Sequence, residues 1–259
     1  MCGIVAYLGN REAYPILIEG LRKLEYRGYD SAGVALMQGN SIQMYKKKGR
    51  VDELDSYCAS KDRHGNAGIA HTRWATHGEP NEENAHPHVS EDGTIALIHN
   101  GIIENYLSLK KGLLAEGVTF KSETDTEVLV HLIRRVQEKE QVSLPDAVML
   151  ALSMVEGTYA LAILSVDNPD QLVVAKKGSP LLIGTEGNEF FVASDGAPIV
   201  GFTQDVVYLD DGDVGVLRLG QPIKIKNIND EQHLLKRPSF QAVQTGHRAC
   251  VDLSLVFLE

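Results

Sequence analysis

Hydrophobic residues in the first hundred positions fall into short apolar runs, interrupted by one stretch with helical spacing. Residues 2–9 form an apolar run closed by Gly9, which predicts a buried strand at the start of the chain. Over residues 13–26 apolar side chains recur at helical spacing with charged residues opposite them, which predicts a surface helix packed on a sheet. Further strands are predicted at residues 32–37, 42–46, 67–71 and 94–99, and the last two each end in a polar cluster.

The second half of the chain places helices before strands. Helical patterns cover residues 107–116, 124–138 and 144–154. Strand patterns then cover residues 160–166, 172–176, 181–184, 190–193, 206–209 and 214–217. This order of strands, helices and strands favours a layered α+β domain over a doubly wound parallel sheet. Residues 78–93 lack periodicity, which predicts an irregular loop that can move, and the signals fade beyond Lys224.

Length and charge narrow the class of protein. The 259 residues suit one large domain or two small ones, and 43% of them are hydrophobic, as in ordinary folded chains. A net charge of −10 opposes binding to nucleic acid or to an anionic membrane, so neither is expected as a partner. The chain has no long apolar run and no secretory signal pattern, which predicts a cytoplasmic protein. Its three cysteines, an odd number without CxxC spacing, favour neither a disulfide framework nor a zinc finger.

Cys2 has an unusual position directly after the initiator methionine. Its small side chain permits removal of that methionine, and the mature protein would then begin with cysteine. A thiol needs a nearby base to attack at neutral pH, and the α-amino group of a terminal cysteine can serve as that base. The alternative is that Cys2 is a small buried hydrophobe on the first strand, and composition alone favours this interpretation.

Two polar clusters follow predicted strands. After residues 67–71, Arg73 is suited to bind a substrate carboxylate and Thr76 can add a hydroxyl donor, although Arg73 in a surface ion pair and Trp74 in the core is an equal alternative. After residues 94–99, the Asn100 amide and the Gly101 N–H can form an oxyanion hole, although an isolated Asn-Gly pair is more often a turn.

The remaining candidates are acidic residues and histidines. Residues 122–127 are acidic at a predicted helix start, where carboxylates complement the helix dipole; the functional alternative gives Asp125 to a substrate ammonium. Five histidines suggest a metal site: His71, His77, His86, His88 and His99. They lack a convincing set of carboxylate or cysteine companions, so neither a metal nor another cofactor is expected.

In their order along the chain, these motifs resemble the glutaminase domain of the glutamine–fructose-6-phosphate aminotransferase family, a group of class II glutamine amidotransferases. The shared motifs are Cys2-Gly3-Ile4-Val5, residues 24–33, Arg73-Trp74, residues 84–88, His99-Asn100-Gly101 and residues 122–127. Similarity continues through residues 177–181 and 193–195 and so spans roughly the first 235 residues. Each motif is weak alone, but the ordered set is specific.

The resemblance implies an N-terminal-nucleophile hydrolase fold, a four-layer α/β/β/α sandwich with two antiparallel sheets. It implies that Cys2 attacks the side-chain amide of L-glutamine, that the freed amino group acts as base, and that water releases L-glutamate from a γ-glutamyl thioester. The roles carried over by position are an oxyanion hole from Asn100 and Gly101, a carboxylate site at Arg73 with Thr76 and His77 nearby, an ammonium site at Asp125, a gate at Trp74, and a place near the nucleophile for Arg27.

The resemblance also divides the chain. Residues 1–236 are predicted to form the glutaminase domain and residues 237–259 a linker or a non-native tail. The sugar-isomerase domains of the family have no counterpart here, so fructose 6-phosphate is expected to bind only through those missing domains, and the full-length enzyme is expected to be a homo-oligomer. Two alternatives are a glutamine-binding regulatory module without turnover, and the glutaminase domain of another class II amidotransferase such as asparagine synthetase.

Overall fold

The computed structural model describes residues 2–74 and 78–229, in which two antiparallel β-sheets carry helices on their outer faces. The strands are β1 (Gly3–Leu8), β2 (Ser31–Gln38), β3 (Ser41–Lys48), β4 (Ala67–Arg73), β5 (His88–Val89), β6 (Ile95–Ile103), β7 (Gly157–Ser165), β8 (Gln171–Lys177), β9 (Leu182–Glu186), β10 (Glu189–Ala193), β11 (Val206–Tyr208), β12 (Asp213–Arg218) and β13 (Lys224–Asn227). The helices are α1 (Ala13–Leu24), α2 (Val51–Cys58), α3 (Tyr106–Ala115), α4 (Asp125–Glu140) and α5 (Leu144–Leu152). The first sheet has the order β11-β9-β10-β1-β4-β2-β3, and the second has the order β13-β12-β8-β7-β6-β5.

Helices cover the outer face of each sheet. On the first sheet, Leu21 of α1 and Leu54 of α2 belong to one buried cluster with Tyr7 of β1. On the second sheet, Ile133 of α4 belongs to a cluster with Leu97 of β6. A third cluster lies between the sheets and takes residues from both. The predicted α/β/β/α sandwich is therefore confirmed, because each sheet buries one face against helices and the other against its partner sheet.

The layer between the sheets is built from alternate residues of the strands. In β1, Ile4 and Ala6 face the other sheet, whereas Val5 and Tyr7 face the helices. Both faces of the strand are thus buried, and for this reason its sequence is a continuous apolar run rather than an alternating one. Several residues of the layer are alanines: Ala6, Ala35, Ala67, Ala96, Ala160 and Ala162. Their small side chains let the sheets approach each other, so a polar residue at the end of the layer can contact both sheets.

Some elements differ from those predicted. The first helix ends at Leu24 and continues as a 3₁₀ turn, Glu25–Arg27, which stops at Gly28 with φ +102°. Helix α2 and strand β13 were not predicted. The prediction of an entirely irregular loop at residues 78–93 is wrong at its end, because β5 pairs with β6. The proposed tail at residues 237–259 lies outside the described residues. Within the described ranges, no helix combines the length and apolarity needed to cross a bilayer.

Candidate active site

A cavity of about 340 Å³ opens where the layer between the sheets ends. Seven of the nine predicted site residues line it: Cys2, Arg27, Arg73, Trp74, Asn100, Gly101 and Asp125. The other two, Thr76 and His77, lie outside the described residues. Two surface clefts are larger, at about 570 and 540 Å³, but their described lining contains no cysteine. Chemistry rather than size therefore selects the smaller cavity as the candidate site.

Cys2 reaches the cavity because it continues the alternation of β1 toward the other sheet. The backbone N–H of Trp74 donates to Cys2 Sγ at 3.2 Å, and the thiol donates to the Trp74 carbonyl at 3.6 Å. Burial raises the pKa of the Cys2 thiol above its ordinary value, although the Trp74 N–H and the Arg73 charge oppose that rise. The thiol is therefore protonated at neutral pH and needs a base before it can attack. Cys2 is half-buried beside a cavity, which contradicts the interpretation as a simple core residue.

Asn100 and Gly101 lie within β6 rather than in a turn, opposite Ala160 and Tyr159 of β7. The alternative interpretation of Asn-Gly as an ordinary turn is therefore wrong. The amide Nδ2 of Asn100 donates to the Cys2 carbonyl oxygen at 3.1 Å. This contact holds the amide group next to the Cys2 residue, a position from which it can donate to an oxyanion that forms there.

Gly101 is required to be glycine by its surroundings. Its φ is +130°, and a Cβ there would lie 2.1 Å from the Thr158 carbonyl oxygen and 3.0 Å from His99 Nε2. Only glycine combines this backbone conformation with so close an approach. The result is a main-chain N–H next to Asn100 on a rigid strand, where a preorganised donor is worth most.

Two buried charges of opposite sign line the cavity. Arg73, at the end of β4, is only 4% exposed, which rules out the predicted alternative of a surface ion pair. It donates to the carbonyl oxygens of Gly78 and Glu79 at 3.2 and 3.4 Å. Asp125 is the first residue of α4, and its Oδ2 accepts from the Ile103 N–H at 2.8 Å. A guanidinium and a carboxylate around one cavity suit the carboxylate and ammonium groups of an amino acid.

Trp74 and Arg27 lie at the edges of the site. The Trp74 indole is 54% exposed, so the alternative that places it in the core is wrong. It packs on Gly28, where an added Cβ would lie 2.4 Å from Trp74 Cε3. Arg27 Nη1 donates to the Ser194 carbonyl oxygen at 3.1 Å, and the guanidinium lies 3.6 Å from the Asp195 carboxylate. These contacts anchor Arg27 to the loop after β10.

Four histidines close to the site are buried: His71, His86, His88 and His99. Of these, His86 and His99 line the cavity. The ring centroids of His71 and His86 are 4.1 Å apart, and those of His86 and His88 are 5.0 Å apart. Burial lowers the pKa of His71 to about 3 and holds those of His86 and His88 well below their usual range. These three rings are therefore neutral at neutral pH. In residues 2–74 and 78–229, no group of three or more His, Cys, Asp or Glu residues is placed to hold a metal ion.

The cavity is also lined by residues to which the sequence analysis assigned no role. They are Ile102, Thr126, Thr158, Ser179 and Pro180. Thr126 Oγ1 lies 3.0 Å from His99 Nδ1, and the Thr158 carbonyl oxygen lies 3.3 Å from His99 Nε2. Thr126 lies within the shared motif at residues 122–127, whereas the only signal for Thr158 was its position next to a predicted strand. Their common partner, His99, is distant from both in sequence, so no local pattern predicts these two contacts.

Comparison with known proteins shows that most of this chain is similar to glutamine amidotransferases. A family model described as "Glutamine amidotransferase domain" matches residues 71–200. The glutamine–fructose-6-phosphate aminotransferase [isomerizing] of Bacteroides thetaiotaomicron is 55% identical over 231 residues, which are 89% of this chain and 38% of that protein. The enzyme of the same name from Chlorobaculum tepidum is 52% identical over 253 residues, 95% of this chain and 41% of that protein. The chain thus spans about two fifths of these relatives.

Two solved structures have a similar fold. The glutamine phosphoribosylpyrophosphate amidotransferase of B. subtilis superposes with a TM-score of 0.75 at 30% identity, over 88% of this chain and 49% of that one. A glutamine aminotransferase class-II domain protein from Silicibacter pomeroyi superposes with a TM-score of 0.56 at 17% identity, over 88% of this chain and all of that one. The second likeness supports the fold alone.

Proposed function

This chain belongs to the family of glutamine amidotransferase domains, and from that premise we propose that it hydrolyses L-glutamine with Cys2 as the nucleophile. Removal of Met1 frees the α-amino group of Cys2. That amine takes the thiol proton, and Sγ adds to the side-chain carbonyl carbon of glutamine. The C–N bond then breaks, the proton passes to the leaving nitrogen, and ammonia departs from a γ-glutamyl thioester. Water adds to the thioester, the C–S bond breaks, and L-glutamate leaves.

The oxyanion that forms in both steps is assigned to the Asn100 side-chain amide and the Gly101 main-chain N–H. Both groups are fixed on β6, and Asn100 already contacts the Cys2 residue at 3.1 Å. Donors that are held in place before the reaction need no reorganisation when negative charge develops. We assign transition-state stabilisation to these two groups.

Recognition of the amino acid is assigned to the charged pair. Arg73 binds the α-carboxylate with Thr76 and His77 nearby, Asp125 binds the α-ammonium, Trp74 closes the site, and Arg27 supports the wall beside Cys2. The observation that carries the proposal is that a thiol, two candidate oxyanion donors and two opposite buried charges line one cavity of about 340 Å³.

The fate of the ammonia follows from the named relatives. We propose that this chain is the glutaminase part of an enzyme that passes ammonia to fructose 6-phosphate to form glucosamine 6-phosphate. In this proposal the acceptor binds in the part of those relatives that this chain does not span. The domain boundary at residue 236, a homo-oligomeric full-length enzyme and a cytoplasmic location belong to the same proposal. The net charge of −10 supports the absence of nucleic-acid and membrane partners.

The test begins with an intact-mass measurement, because Met1 must be absent for the amine to act as base. Glutamate release is then compared among the wild type, Cys2→Ala and Cys58→Ala. Cys58 is a matched control because it is a buried thiol in α2, among core residues. We expect loss of activity only in Cys2→Ala. Equal glutamate release by the wild type and Cys2→Ala would remove Cys2 from the mechanism.

Binding measurements separate the enzyme from a regulatory module. If wild-type protein that lacks Met1 binds glutamine but releases no glutamate, the regulatory alternative is correct. Incubation with glutamine and fructose 6-phosphate is expected to yield glutamate without glucosamine 6-phosphate. A chain that ends at residue 236 is expected to keep the wild-type rate, and loss of that rate would place the boundary elsewhere.

A further inference from the structure

We propose that His71 is a positioning residue that fixes the orientation of the Asn100 side-chain amide, so that Nδ2 and not Oδ1 is the atom held at the nucleophile. This inference rests on the proposed function, because it concerns the oxyanion donor of that reaction. His71 Nε2 lies 2.9 Å from Asn100 Oδ1. His71 is not among the residues to which the reaction itself assigns a role.

The orientation of the amide is determined at both of its ends. Nδ2 of Asn100 lies 3.1 Å from the Cys2 carbonyl oxygen, which can only accept a hydrogen bond. Oδ1 lies against the imidazole of His71, so that ring must donate. A flipped amide would set two oxygens against each other at Cys2 and two N–H groups against each other at His71. The flipped state would also present a lone pair to the developing oxyanion.

The donor on His71 is fixed by a second contact. Nε2 also lies 3.1 Å from the His99 carbonyl oxygen, which again can only accept. Two acceptors at Nε2 place the proton there, and Nδ1 has no hydrogen-bond partner among the described residues. His71 is completely buried, so an orphaned ring nitrogen is costly. The folded protein thus tolerates an unpartnered Nδ1 on His71 while Nε2 donates to Asn100 Oδ1.

The contact also crosses between the two sheets. His71 lies on β4, next to β1 and the nucleophile, whereas Asn100 lies on β6 of the other sheet. Alternation along β4 explains why the ring reaches so far, because Ala67 and Ile69 face the same layer. The hydrogen bond therefore joins the strand that flanks the nucleophile to the strand that carries the oxyanion donor.

The first experiment measures glutamate release by variants that lack Met1. In His71→Leu we expect kcat to fall about 100-fold, as for loss of one oxyanion donor, with KM for glutamine changed less than about threefold. The double variant His71→Leu/Asn100→Ala should be no slower than Asn100→Ala, because both changes remove the same donor. His71→Gln keeps an N–H donor and should recover part of the rate.

Two controls separate positioning from loss of structure. His131→Leu removes another buried histidine, one that packs on Phe120 away from the cavity, and should keep kcat within about threefold of the wild type. The rate at which iodoacetamide alkylates Cys2 should be the same in His71→Leu and the wild type, because the amide does not activate the thiol. A folded His71→Leu with wild-type kcat, or fully additive losses in the double variant, would overturn the inference.

A second measurement uses the unaltered protein and needs no activity. Nitrogen-15 NMR of uniformly labelled wild-type protein should show His71 as the neutral Nε2–H tautomer, with its ring signals assigned by correlation to the backbone signals of residue 71. An Nδ1–H tautomer would overturn the inference whether or not the variants fold. Absence of glutamate release by the wild type, in contrast, would contradict the proposed function. The tautomer result would then decide whether His71 orients the Asn100 amide.

Discussion

Gly101 combines a backbone conformation and a set of neighbours that no other residue type fits. Its φ of +130° is strained for any residue with a Cβ, and an added Cβ would lie only 2.1 Å from the Thr158 carbonyl oxygen. In Gly101→Ala we expect a loss of stability of about 2–4 kcal/mol, the sum of backbone strain and overpacking. We also expect at least about a 100-fold loss of glutaminase rate, because the main-chain N–H that we propose as an oxyanion donor moves. Urea unfolding and glutamate release measure the two effects.

Gly93 provides the matched control for this substitution. It also has a positive φ, +73°, but an added Cβ would meet nothing within 4 Å. Gly93→Ala should therefore lose about 1–2 kcal/mol of stability from the backbone alone and keep the wild-type rate. If the two variants lose the same stability and activity, the close approach at Gly101 has no importance for the site.

At the scale of elements, the start of α4 joins the cap of the helix to Asp125, the proposed binding residue for the substrate ammonium. Thr124 caps the helix by accepting from the Glu127 N–H at 3.3 Å, its hydroxyl lies 3.1 Å from His88 Nε2, and Asp125 follows it directly. Thr124→Ala should lower the free energy of unfolding by about 1–3 kcal/mol, because it removes a cap and a buried partner. The loosened first turn should raise KM for glutamine about 3–10-fold with kcat nearly unchanged.

The same change at another helix tests this link. Ser143 caps α5 by accepting from the Asp146 N–H at 3.4 Å and does not line the cavity. Ser143→Ala should lose about 1 kcal/mol of stability with no change in KM. An unchanged KM in Thr124→Ala would show that Asp125 is held by its bond to the Ile103 N–H rather than by the helix start.

Patterns within one element predicted most of the architecture, whereas contacts between elements escaped them. The continuous apolar run of β1 indicated a strand buried on both faces. Helix α2 was missed because its eight residues bury only Val51, Leu54 and Cys58, too few to establish a period. Nine site residues were predicted from motifs that match a family, and seven of them line the cavity. The hydrogen bond from His71 to Asn100 was not predicted, because its two ends lie 29 residues apart on different sheets.

For the whole molecule, buried neutral histidines make stability depend on pH. Burial lowers the pKa of His71 to about 3 and those of His86 and His88 well below their usual range, whereas unfolded histidine titrates near ~6.5. Below about pH 6.5 the unfolded chain therefore binds more protons than the folded one. Stability is fully present above that pH and should fall by about 1.4 kcal/mol per pH unit for each such histidine as the pH drops toward 4.

Urea unfolding at several pH values between 7 and 4 tests this dependence. His71→Gln removes one of the three groups. The slope of its free energy of unfolding against pH should therefore be smaller than the wild-type slope by about 1.4 kcal/mol per pH unit, which corresponds to one proton. His64→Gln is the control, because the His64 side chain is 85% exposed. Its curve should run parallel to that of the wild type. A parallel curve for His71→Gln would contradict the assignment of a neutral buried ring.

The spacing of the two sheets determines whether the proposed nucleophile and the proposed oxyanion donor meet, since Cys2 precedes a strand of one sheet and Asn100 lies in the other. Ala162 of β7 lies between the sheets, two residues along the strand from the partner of Asn100. Ala162→Leu should cost about 1–3 kcal/mol by overpacking. Because sheets move as units, it should also lower the glutaminase rate at least about tenfold.

A substitution of the same size on the other side of the second sheet isolates the effect of spacing. Ala151 of α5 is equally buried but packs in the cluster between that sheet and its helices. Ala151→Leu should lose similar stability, about 1–3 kcal/mol, because the core is as densely packed there. It displaces a helix rather than a sheet, so the rate should stay within about twofold of the wild type. Equal loss of rate in Ala162→Leu and Ala151→Leu, at equal stability, would mean that general destabilisation and not the distance between the sheets limits the reaction.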